Sequence, residues 1–70
     1  MEVRLEYFRV GAAGEPETVI GKVTRQAGDV EEAARIGREL VATLDLPQPP
    51  DGMTIRDAKG RSLWRQRFRR

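Results

Sequence analysis

Asp29–Leu44, DVEEAARIGRELVATL, is the stretch whose reading decides the fold. Stepped along at roughly 100° per residue, Val30, Ala33, Ala34, Ile36, Gly37, Leu40, Val41 and Leu44 fall on one continuous arc. Glu31, Glu32, Arg35, Arg38, Glu39 and Thr43 fall on the other, and only Ala42 strays among them. This is one amphipathic helix whose apolar stripe must lie on something apolar. Asp29 is its N-cap, and Glu32 three residues on makes a capping-box-like D-x-x-E. Glu31 and Arg35 are spaced as an i,i+4 pair on the outer side. Gly37, in the middle of the apolar arc, costs about 1 kcal/mol of helix propensity relative to alanine. Close approach of the helix backbone to a sheet beneath it would compensate.

On the N-terminal side, Glu2–Val10 alternates, with Val3, Leu5 and Tyr7 sharing a face, and reads as a half-buried strand. Phe8 and Val10 break the phase, which asks for a bulge or a second covered face. GAAGEPE (11–17) reads as a hairpin loop. A strand follows it rather than a helix, so it has no phosphate-cradling geometry. TVIGKVTRQ (18–26) is β-branched and reads as the second strand, with Val19 and Val23 on one face and Gly21 between them. On the C-terminal side, DLPQPPDG (45–52) ends the helix, and Pro47, Pro49 and Pro50 stiffen an extended connection. MTIRDA (53–58) and RSLWRQRF (61–68) form a second hairpin around Asp57-Ala58-Lys59-Gly60, with Gly60 left-handed. Its register is open: Ile55 faces Leu63, or Met53 faces Trp64. The order ββαββ predicts an α+β fold, a four-stranded antiparallel sheet with the helix packed on one face, as a single domain over residues 1–70.

The second hairpin carries a family likeness. Met53-Thr-Ile-Arg-Asp57-Ala-Lys-Gly60-Arg-Ser-Leu63, after a capped helix and an early strand ending in Tyr7-Phe8, resembles small uncharacterised bacterial single-domain proteins. These carry an early Y/F-F strand and a late I-x-x-D-x-x-G-x-x-L-like hairpin. The resemblance implies this fold and brings no activity with it. The basic end, RQRFRR, departs from its pattern.

Composition narrows the function. Without cysteine there is no disulfide, thiolate nucleophile or Cys-based zinc site, and without histidine the commonest general base and metal ligand are missing. The exposed carboxylates form no metal-loop pattern. The expectation is a binding module rather than an enzyme, needing no cofactor or metal. The first ten residues have no apolar h-region and no run is long enough for a membrane span, so the expected location is the cytoplasm. Residues 1–52 hold six basic and ten acidic side chains, a net −4; residues 53–70 hold seven basic side chains against Asp57, a net +6.

Two surfaces follow. One helix covers one face of a four-stranded sheet, and Phe8, Val10, Ile20 and either Leu63 or the Trp64/Phe68 pair are expected to point away from it. An apolar interaction surface of Phe8, Ile20, Trp64 and Phe68 would drive self-association or docking on a protein partner. The alternative is nucleic-acid binding through the C-terminal strand, with Arg61, Arg65, Arg67 and Arg69 on phosphates and Trp64 stacking on bases.

Overall fold

A computed structural model describes residues 1–11 and 17–68; most of the 11–17 hairpin loop therefore lies outside the described residues. The elements are β1 (Glu2–Arg9), β2 (Thr18–Gln26), α1 (Val30–Leu40), β3 (Gly52–Asp57) and β4 (Ser62–Arg67). The strands make one antiparallel sheet in the order β2-β1-β3-β4, with the two hairpins joined through β1 and β3. Val3, Leu5 and Tyr7 of β1 and Met53 and Ile55 of β3 supply the buried floor under α1, closed by Ala27, Ala33 and Ala34.

The helix begins as its capping residues dictate. Asp29 Oδ1 accepts from Glu32 N–H at 2.8 Å, and Glu32 Oε1 accepts from Gly28 N–H at 2.9 Å. Arg35 pairs with Glu39 and Glu32, not with Glu31. The helix ends at Leu40, one turn earlier than periodicity alone suggests. Thr43 N–H, Leu44 N–H and the Thr43 hydroxyl all converge on the Leu40 carbonyl, and the chain tightens before Pro47. Leu46 then packs over Gly21, where a Cβ would collide with its side chain.

Gly37 is the point of closest approach between the layers. A Cβ there would run into Met53 Sδ, and the Tyr7 hydroxyl donates to the Gly37 carbonyl at 2.7 Å. Tyr7→Phe is therefore expected to cost about 1 kcal/mol in denaturant titration. Burial raises the Tyr7 phenol above its ordinary pKa, against a smaller lowering by Arg25. The unfolded chain thus releases this proton first. The stabilisation is complete below about pH 10 and is lost as pH rises beyond it. Tyr7 is the sole tyrosine, so Tyr7→Phe should flatten this alkaline loss.

Two bulges set which side chains share a face. Tyr7 pairs with Gly21 and Phe8 with Val19, leaving Ile20 as the extra residue on β2. Val19 and Val23 therefore lie on opposite faces rather than together. In the second hairpin Ile55 faces Trp64, Met53 faces Gln66 and Arg56 faces Ser62, with Leu63 extra. Neither register anticipated above is adopted, because the bulge shifts the pairing between the turn and Trp64. Gly60 has φ 86°, and Asp57 accepts from Lys59 N–H, Arg61 N–H and Arg61 Nε. The Arg61 and Lys59 hydrogen bonds hold the Asp57 carboxyl below the usual aspartate range despite some desolvation. Its stabilisation is present above the unfolded pKa, about 3.9, and is lost as pH falls through the lower folded value. Asp57→Asn should flatten the acid limb of a stability-against-pH curve.

Candidate functional site

The sheet's reverse face is not the apolar surface expected from the sequence. Cross-strand pairing places Arg4, Glu6, Lys22, Thr24, Thr54, Arg56, Arg65 and Arg67 there with Phe8 and Val19. Glu6, almost fully buried, lies 3.0 Å from Arg56 Nε and 3.6 Å from Arg4 Nη1. Phe8 is only 2 % exposed, because this chain covers it. The Arg65 guanidinium lies 4.2 Å from the Phe8 ring centroid and is ion-paired to Glu17. The missing side chain of Gly52 leaves the ring its slot.

The residues expected to join Phe8 are elsewhere. Ile20 and Phe68 pack against the core on the helix side, Phe68 with its ring centroid 6.5 Å from that of Tyr7. Trp64, opposite Ile55, stands beside Ala34, Arg35 and Arg38 of the helix and is 43 % exposed. The four side chains thus lie on two sides of the sheet and form no single patch. The period-two rule assigned them to one side only by ignoring the bulges at Ile20 and Leu63.

The expected nucleic-acid contacts are divided in the same way. Trp64 is on the helix side, Arg65 and Arg67 are on the reverse, and Arg61 is bound to Asp57 at 2.7 Å. Arg69 lies outside the described residues.

What unites Trp64, Arg65 and Arg67 is the open edge of β4, which has β3 on one side and, among the described residues, no strand on the other. Phe68 N–H donates to the Asp51 carbonyl at 2.8 Å, and Phe68, Gln66 and Trp64 share one phase of the ladder. Alternation in an antiparallel pair then directs the N–H and C=O of Arg65 and Arg67 to the free side. An edge of this kind is a template for another strand.

At the C-terminal end of β4 this edge meets a groove of about 700 Å³. Val41, Pro50 and Phe68 supply its apolar lining, and Arg38, Gln66 and Arg67 supply its polar lining. Arg38 Nη1 donates to Gln66 Oε1 at 3.1 Å, which ties the helix to the strand. Arg38 reads in the sequence as one solvated helix charge among several. A signal was nonetheless present, since no residue three or four positions away from it is acidic.

No family model, curated protein or solved structure matches this chain. Function therefore rests on the geometry. Among the described residues, no group of acidic side chains is placed to hold a metal ion, and no helix is long and apolar enough to cross a membrane.

Proposed function

We propose that this protein is a docking module that takes an extended acidic segment of another protein as a fifth strand on β4. The observation that carries this reading is the division of β4's exposed side chains between the two faces of an unpaired edge. A nucleic acid stacked on one face would meet either Trp64 or the Arg65/Arg67 pair. An added strand meets both at once, since its own side chains alternate. Acidic residues would then lie beside Arg65 and Arg67, and apolar ones beside Trp64.

A second copy of the chain fits this edge less well. Two β4 strands related by a two-fold axis would bring their arginines together, and like charges across a ladder destabilise it. With Phe8 already covered by Arg65, the reverse face keeps Val19 as an exposed apolar side chain among charged ones, a weak drive for sheet-on-sheet pairing.

The test is calorimetric titration with the blocked hexapeptide Ac-Glu-Val-Glu-Val-Glu-Val-NH2. Binding is expected, weakened by salt and abolished when backbone N–H groups on the pairing side of the peptide are methylated. A lysine-for-glutamate version should not bind. Indifference to backbone methylation would remove the strand-addition reading. Tighter binding of a single-stranded oligonucleotide at about 50 mM salt would favour nucleic acid instead. Light scattering is expected to give a single chain, and a concentration-dependent dimer would favour self-association.

A further inference from the structure

We infer that the groove at the end of β4 receives the C-terminal residue of the docked segment, its carboxylate between Arg38 and Arg67 and its side chain against Val41, Pro50 and Phe68. This rests on the strand-addition reading and adds to it a polarity and a terminus.

The charges carry the inference. Arg4, Arg35, Arg56, Arg61 and Arg65 each pair with a carboxylate. Arg9, Arg25, Arg38 and Arg67 make no ion pair among the described residues; of these four, Arg38 and Arg67 line the groove, and no carboxylate lines it. Two uncompensated guanidiniums beside an apolar lining are complementary to one anionic group with an apolar neighbour. Arg38 is held toward β4 by Gln66, and its other guanidinium N–H groups remain for a ligand.

The arrangement favours a chain terminus over an internal glutamate. A C-terminal residue carries its carboxylate and side chain on the same Cα, within reach of the polar and the apolar lining together. An internal glutamate projects its charge to one face, while its apolar neighbours in the strand project to the other. Position sets the direction. The groove adjoins Arg67 and Phe68, so a segment that ends there runs parallel to β4, its earlier residues alongside Trp64 and Arg65.

The experiment compares Ac-Glu-Val-Glu-Val-Glu-Val with a free C-terminal acid against the same peptide as its amide. Amidation is expected to weaken binding at least about tenfold, the loss of a charge-assisted, bidentate contact. Arg38→Gln should erase that preference while leaving amide binding in place; Arg67→Gln should erase it and also weaken the amide, because Arg67 meets the segment's acidic side chains as well. Lys59→Gln, an equal change in charge at the opposite end of β4, should keep it. Both arginines are exposed, and circular dichroism checks that the variants fold. Equal affinity for acid and amide, with methylation still blocking both, overturns the terminus inference and leaves strand addition standing. A preference that survives both arginine substitutions overturns it as well. If neither peptide binds, both proposals fall.

Discussion

Gly37→Leu is expected to destabilise the fold by about 3 kcal/mol, the upper range for overpacking a filled core. For a domain of this size that lowers the melting temperature by about 12 °C or more, measurable by circular dichroism. The cause is local and named. Gly37 is buried, its missing Cβ faces Met53 Sδ, and the Tyr7 hydroxyl reaches its carbonyl. A larger side chain must lift the helix from the sheet and break that hydrogen bond. Gly37→Ala has two opposed effects, since alanine adds about 1 kcal/mol of helix propensity while its methyl displaces Met53. Methionine is unbranched and adaptable, so the conflict is relieved from the other side. Combined with Met53→Ala, Gly37→Ala should cost less than the two single changes added together, by about 1 kcal/mol. Strict additivity would refute the close-packing account.

Gly52→Ala is the second large effect, expected at about 3 kcal/mol. Here the obstruction includes backbone. A Cβ on Gly52 would meet the Gln66 carbonyl oxygen of β4 and the ring of Phe8. A carbonyl in a strand ladder has no rotamer to change, so β3 and β4 must separate. Trimming the other neighbour with Phe8→Leu should consequently fail to restore stability in the double variant. Hydrogen exchange in β4 should accelerate more than in β1 and β2, because the damage is at the β3–β4 junction. Recovery in the Phe8→Leu background would place the conflict at the ring instead. Gly52 also links stability to the proposed function, since the pairing it protects presents the outward groups of Arg65 and Arg67.

Much of the fold is legible in the chain itself. The arc from Val30 to Leu44, the Asp29 cap and the left-handed Gly60 are set by local rules, namely helical periodicity, side-chain capping and the freedom of glycine at positive φ. The ββαββ order and the helix on one sheet face follow from those elements. Even the close approach at Gly37 is inferable, because a glycine in a buried helical stripe needs a compensation.

The candidate site was legible only in part. Trp64, Arg65 and Arg67 stand out in the sequence, but their division between two faces does not. One extra residue in a strand reverses the orientation of everything beyond it, and no local pattern distinguishes Ile20 or Leu63 as that residue. Phe8 shows the same limit. Its burial depends on Arg65, fifty-seven residues later in the chain, and on the space left by Gly52. The groove needs three separate segments to meet: the end of α1, the Pro49–Pro50 connection and the end of β4. By itself, then, the sequence determined the elements, their order and the helix's buried stripe, since these depend on neighbours within a turn or two. Tertiary structure alone decided which face each β4 side chain occupies and which arginines lack a carboxylate, because both depend on strand pairing and on contacts between distant residues.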